Sequence, residues 1–161
     1  MEEYVFFWKV SEKPYGIFSQ WSIRNFTIDG NVYCCTEQWM MAEKARLFND
    51  NEIFTRIINE KKPFEIKKLG REVKNFNQSV WENNAFDIVV KGNFAKFSQH
   101  QDFIDILLST KDKTIVEASP YDKIWGIGLS AEHPDSNNPE NWKGTNLLGK
   151  ALMEVRDKIQ V

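Results

Sequence analysis

Between Thr36 and Leu107 the apolar residues return every three or four positions, in runs separated by helix-breaking or helix-capping residues. A chain patterned this way folds its middle as short amphipathic helices, and each stripe must be buried against a neighbour. Thr36 is expected to cap the first helix, with Met41, Ala45 and Phe48 following at helical spacing. Asn49-Asp50-Asn51 stops that helix and caps a second, where Ile53, Phe54, Ile57 and Ile58 pair at four-residue intervals. Pro63 opens a third over Ile66, Leu69 and Val73. Ser79 is expected to cap a fourth over Trp81, Ala85, Ile88 and Ala95, and Ser98 a fifth over Phe103 and Leu107.

The flanks have a different period. Residues 4–9 (YVFFWK) are aromatic and strand-like. Phe26, Ile28, Val32 and Cys34 alternate around Asp29-Gly30, a strong hairpin signal. Residues 113–118 (KTIVEA) form another strand, and residues 130–142, with two Pro and three Asn, a long loop of the kind that often carries function. A last helix from about Thr145 turns Leu148, Leu152, Val155 and Ile159 inward. The class expected is α+β, predominantly α-helical with a small N-terminal antiparallel β-sheet. At 161 residues one domain over 1–161 is expected.

Charge narrows the function. Lys and Arg number 21 against 23 Asp and Glu, a net charge of −2, which removes the main argument for a nucleic-acid-coating protein, since such a protein needs a basic surface. An enzyme acting on one nucleotide remains open. No run of about 20 apolar residues is present, so no membrane span is expected. The acidic start Met1-Glu2-Glu3-Tyr4 is unlike a signal peptide. Cys34 and Cys35 are adjacent, which suits neither an unstrained disulfide nor a Cys-x-x-Cys motif. A cytoplasmic location is expected. His100 and His133 are the two histidines, without metal-site spacing, and neither a Gly-x-Ser-x-Gly elbow nor a Walker A loop occurs. Zinc, serine-hydrolase and P-loop chemistry are therefore poor fits, and neither a metal nor a cofactor is expected. The 14% aromatic content, with six Trp and twelve Phe, provides a core and leaves rings for stacking on a planar ligand.

Three places can carry chemistry. Glu37 and Lys44 lie seven residues apart, on one helix face and about 10 Å apart along the axis, with Met41 between them. They can converge on one small substrate, or else Glu37 caps the helix and Lys44 is a solvated face residue. As an exposed first-turn change, Glu37→Gln should cost the fold under about 1 kcal/mol. Trp125-Gly126-Ile127-Gly128 lets backbone approach a ligand, with Asp122 placed to accept from sugar hydroxyls; the alternative is a Gly-rich turn beside a core Trp. Gly70-Arg71 interrupts a helical pattern, and Arg71 can hold a phosphate or remain a surface Arg.

Taken in order, these motifs resemble a known family. The run Tyr15-Gly16-Ile17-Phe18-Ser19, then Ile28-Asp29-Gly30, then residues 36–44 (TEQWMMAEK) is similar to the opening of the YbiA-like, or NADAR, family. Gly70-Arg71, Trp81, Lys96-Phe97 and residues 107–110 (LLST) fit its middle. Residues 122–128, then residues 144–149 (GTNLLG) and 152–156 (LMEVR), fit its close. The likeness covers nearly the whole chain. Gln20 stands where the family often has Asn, Gln38 where many members have His, and Ile127 where some carry Asp.

The resemblance implies a YbiA-like fold and an N-glycosidase. Its substrates would be ribosylaminopyrimidine phosphates of riboflavin synthesis, or ADP-ribosylated guanine, with ADP-ribosylated nucleic acid as a further carrier. Both join C1 of a phosphorylated ribose to an exocyclic amine of a planar ring. In such an enzyme Glu37 would serve as acid and base and Lys44 as the amine or as a cation. Asp122 would orient ribose or water. Trp39 and Trp125 would stack on the ring, and Arg71 would meet the phosphate. Phe18, Ser19, Gly70, Trp81 and Gly126 fall on its motifs as substrate contacts, and Asn146 would bind a sugar or cap the last helix. A non-catalytic ADP-ribose or nucleotide-binding module is the alternative.

Overall fold

The computed structural model of the chain describes residues 3–160. Met1 and Glu2 of the acidic start lie outside the described residues. The fold consists of two compact units: Gln20–Gln99, and the chain up to Ser19 together with the chain from His100 onward.

In the unit spanning Gln20–Gln99, the hairpin forms where Asp29-Gly30 places it. Its strands β2 (Phe26–Ile28) and β3 (Asn31–Tyr33), second and third along the chain, pair antiparallel, with Phe26 opposite Tyr33. Asp29 and Gly30 have φ of 51° and 83°, the left-handed pair that a two-residue turn between twisted strands needs. Four helices follow: α1 (Thr36–Leu47), α2 (Asn51–Asn59), α3 (Pro63–Arg71) and α4 (Gln78–Ser98).

Helix α1 packs against the other three, and its first turns are buried from Thr36 through Ala42. Gly92 of α4 lets the Trp39 indole lie flush on that helix, since a Cβ there would overlap the ring. Asp50 caps α2 by accepting from the Ile53 amide at 3.1 Å, and Pro63 opens α3 in the first turn, as expected.

Three expected caps move. Thr36 is already helical and Cys35 precedes α1. The cap of α4 is Asn77, not Ser79, with its Oδ1 accepting from the Val80 amide at 3.0 Å. Ser98 still belongs to α4, and α5 begins after His100. A hydroxyl supplies a capping acceptor anywhere it falls, so composition alone did not choose among neighbouring candidates.

In the other unit, β1 (Tyr4–Phe7) pairs with β4 (Thr114–Glu117) in parallel, Val5 opposite Ile115 and Phe7 opposite Glu117. The fold is α+β and predominantly α-helical, as expected, and the hairpin is antiparallel; β1 differs, pairing in parallel with a strand far along the chain. Strand direction follows from the route of the chain and leaves no mark in local alternation. Helix α6 (Leu147–Gln160) packs on β4 and α5 (Gln101–Ser109). Arg156 of α6 is buried, donating through Nη1 to Thr110 Oγ1 at 2.9 Å and to the Lys113 carbonyl at 2.8 Å. The long loop includes a 3₁₀ turn at Pro139–Asn141. No helix among the described residues is long and apolar enough to cross a membrane.

Candidate functional site

Helix α1 supplies the two central side chains. Glu37 lies in its first turn and is only 6% exposed, its amide donating to the Gln20 carbonyl at 3.0 Å. That corrects the expectation of an exposed first turn. Seven residues on, Lys44 is half-buried. Its Nζ lies 4.6 Å from the centre of the Phe76 ring and 5.7 Å from that of Trp81. Burial pushes the Lys44 amine below the ordinary lysine range; the Glu37 charge pulls it back up, and the Arg71 charge pushes it down. Glu37, Lys44 and Arg71 thus form one electrostatic cluster on α1 and α3, with Trp81 of α4 beside it.

Gly70 explains how α3 comes so close. A Cβ there would overlap Met41 Sδ and lie 2.9 Å from Met41 Cγ. The buried Met41, between Glu37 and Lys44 on α1, therefore rests on α3 where that helix has no side chain. Arg71, the last residue of α3, is held one position further on, exposed.

Phe76 escaped the sequence analysis. It is 40% exposed in the segment between α3 and α4, and it tilts against Phe48 at 5.4 Å between ring centres. Its one signal is an aromatic flanked by Asn75 and Asn77, where a solvated linker would be polar. Lys96 was named only as part of a motif. It is fully buried in α4, and burial pushes its amine down to about 7.

The nearby Gln38 has a structural duty. Its Nε2 donates to the carbonyls of Ile57, Ile58 and Glu60 at 2.9, 3.2 and 2.9 Å, closing the C-terminal end of α2. Its Oε1 accepts from the Cys34 amide at 2.8 Å. An amide both donates and accepts, so Gln here ties the start of α1 to the end of α2.

Two residues expected to touch substrate are core instead. Trp39 is 2% exposed, packs edge-on against Tyr33, and donates Nε1–H to the Ile88 carbonyl at 2.7 Å. With its ring and its donor engaged, it has no face for a ligand. Phe18 has no exposed surface and packs on Phe7 and Tyr15. An aromatic beside a motif has the same signature whether it stacks on a ligand or fills a core.

The unit from His100 onward, with the N-terminal strand, holds the remaining candidates. Asp122 Oδ1 accepts from the amides of Ile124 and Trp125 at 2.9 and 2.8 Å, folding the turn that presents Trp125, which is half-buried. Asn146 is 1% exposed, and both ends of its amide are engaged: Oδ1 accepts from the Glu117 amide at 3.0 Å, and Nδ2 donates to the Ile115 carbonyl at 3.0 Å. It clasps β4 to the start of α6, a structural contact other than the helix cap expected of it. Gly126 is close-packed against the molecule itself, since a Cβ would lie 2.9 Å from the Glu117 carbonyl. The expectation that it admits a ligand is corrected on that ground. Ser19 ends the 3₁₀ turn Tyr15–Phe18, its amide donating to the Gly16 carbonyl at 3.1 Å.

The Gln20–Gln99 unit thus brings a buried acid, a half-buried amine and an arginine into one cluster. Residues 6–160 match the NADAR domain, and the chain belongs to that family. It is 50% identical to an N-glycosidase of Acanthamoeba polyphaga mimivirus, over 99% of this chain and 98% of the relative. It is 32% identical to an N-glycosidase of Nostoc punctiforme, over 97% and 92% of the two chains. The NMR structure of YbiA from E. coli superposes with a TM-score of 0.81 at 27% identity, covering 99% of this chain and 87% of that one. The chain is accordingly an enzyme, a hydrolase acting on N-glycosyl compounds.

Proposed function

We propose that the chain hydrolyses the bond between C1 of a phosphorylated ribose and the exocyclic amine of a planar ring, on ribosylaminopyrimidine phosphates or ADP-ribosylated guanine. The observation that carries this proposal is the placement of Lys44, half-buried against Phe76 and Trp81, where burial and the Arg71 charge lower its hold on a proton and the Glu37 charge opposes them. A ribosylamine opens to an imine at C1, and a neutral amine can attack it. Lys44 supplies that amine. Its bond to C1 forms, the bond from C1 to the departing ring amine breaks, and Glu37 gives the leaving nitrogen its proton. Water then adds at C1 of the lysine imine, and the sugar leaves as the aldehyde with Lys44 regenerated.

The charges around Lys44 suit both halves of that cycle. A charged Glu37 stabilises the ammonium, and once the carboxyl carries the proton that attraction is gone, so proton and nucleophile are prepared together. Arg71 stands ready for the phosphate, where its planar donor fork pairs two oxygens at once. Trp81 and Phe76 offer aromatic surface to the planar ring.

The test offers the purified protein a ribosylaminouracil phosphate and an ADP-ribosylated guanine oligonucleotide, and follows released sugar by chromatography. Release from one of them, lost by about 10²–10⁴-fold in Glu37→Gln, is the expected result and names the substrate branch. Borohydride added during turnover should leave a sugar adduct on Lys44, read by mass spectrometry. An active Lys44→Met protein would end the amine role. No release from either substrate, with tight ADP-ribose binding, would leave a binding site without this chemistry.

A further inference from the structure

The bend from β3 into α1 carries two thiols for which the proposed hydrolysis has no use. Cys34 and Cys35 are both reduced, with their Sγ atoms 3.9 Å apart. They are not equivalent. Cys34 keeps 6% of its surface exposed and its Sγ lies 3.9 Å from the Lys61 carbonyl, whereas Cys35 is fully enclosed. Cys34 Sγ hydrogen-bonds to Cys35 Sγ, and this contact together with the nearby Lys61 charge holds the Cys34 thiol down to about 7 against the effect of burial. The same contact and burial push Cys35 up. One sulfur that ionises near neutrality therefore stands beside one that stays protonated, the arrangement of an attacking thiolate and its resolving partner.

We propose that Cys34–Cys35 is a peroxide-reactive modification site that closes to a vicinal disulfide. The Cys34 thiolate attacks one oxygen of a hydroperoxide. The S–O bond forms, the O–O bond breaks, and the departing oxygen leaves as hydroxide or alkoxide and takes a proton. Cys35 Sγ then attacks the Cys34 sulfenic sulfur. The S–S bond forms, and the Cys34 hydroxyl leaves as water with the proton of Cys35. The sulfur pair loses two electrons and the peroxide gains them.

Closure changes the backbone at a sensitive place. The sulfurs must approach from 3.9 Å to about 2.05 Å within one dipeptide, which twists the peptide between them. Cys35 is the extended residue immediately before α1, at φ −162° and ψ 164°, and Glu37 is two residues further on. The Cys34 amide is tied to Gln38 of the same first turn. Ring closure therefore rotates the first turn of α1 and displaces Glu37. This consequence for turnover rests on the proposed function; the modification itself does not.

The test treats the full chain with hydrogen peroxide and reads intact mass and thiol alkylation after denaturation, before and after dithiothreitol. The expected mass falls by the two thiol hydrogens, both alkylation sites disappear, and dithiothreitol restores them. In Cys35→Ala, Cys34 stops at the sulfenic acid and takes up dimedone; in Cys34→Ser neither product forms. Thiols that stay alkylatable, or that oxidise independently to sulfonic acids, overturn the site. On an active substrate, oxidation should lower turnover by about 10-fold or more, reversibly, as misplacing a catalytic group by about 1 Å can. Cys34→Ser should keep its turnover in peroxide. A closed ring with full turnover overturns the coupling to Glu37. An inactive reduced protein counts against the N-glycosidase substrates alone, because the mass still decides the modification.

Discussion

Lys44 and Lys96 are both lysines withdrawn from water, and they differ in what faces them. Lys44 feels Glu37 on one side and Arg71 on the other, and one side of it remains open to solvent. Lys96 is sealed in α4, and burial alone sets the direction of its shift. Its sign in stability follows directly. The unfolded chain holds the Lys96 proton up to the ordinary range near 10.5, and the folded chain releases it above about 7. Between those values unfolding takes up a proton, so this contribution to stability grows as pH rises and is weakest below 7. The melting temperature of the wild type measured against Lys96→Met should therefore gain on the variant from pH 7 towards 10. A difference that stays flat across that window would show that Lys96 keeps its proton in the fold.

At the scale of elements, the site depends on how closely α3 lies on α1. Gly70 sets that distance, with Met41 filling the space a side chain would take. Gly70→Ala must push Met41 aside in a buried place, and overpacking of this kind costs about 1–3 kcal/mol. Denaturant unfolding checks that figure. Turnover should fall as well, because Arg71 follows Gly70 directly and moves with it. A variant equally stable and equally active would mean that Met41 swings away freely. Similar reasoning explains Gln38 at the other end of α1, where one amide side chain satisfies three carbonyls of the α2 terminus. Both contacts hold the helix that carries Glu37 and Lys44, and neither residue needs to touch substrate.

For the whole molecule, charge limits how a nucleic-acid carrier could be held. With a net charge of −2 the chain carries no overall excess of positive charge to neutralise a phosphate backbone. If the proposed substrate is borne on an oligonucleotide, binding should involve one or two phosphate contacts, Arg71 among them. The slope of log affinity against log salt should then be about −1 to −2, against about −10 for a dedicated DNA-binding protein. Titrations across a range of salt concentrations measure it, and a much steeper slope would reveal a basic surface assembled by the fold from scattered residues.

Much of the architecture was legible in the chain itself. Helices α1 to α6 and the Asp29-Gly30 hairpin follow from periods of three to four and of two, and from a turn that demands left-handed backbone, all of which act between near neighbours. The pairing of Glu37 with Lys44 on one face was legible for the same reason. Only the tertiary structure decided that β1 runs parallel to β4, that Trp39 and Phe18 are core, and that Phe76 covers Lys44. It also decided that the first turn of α1 is buried around Glu37 and Gln38. Each of these depends on which distant segments exclude water from one another, and a local pattern carries the tendency to be buried but not the identity of the partner.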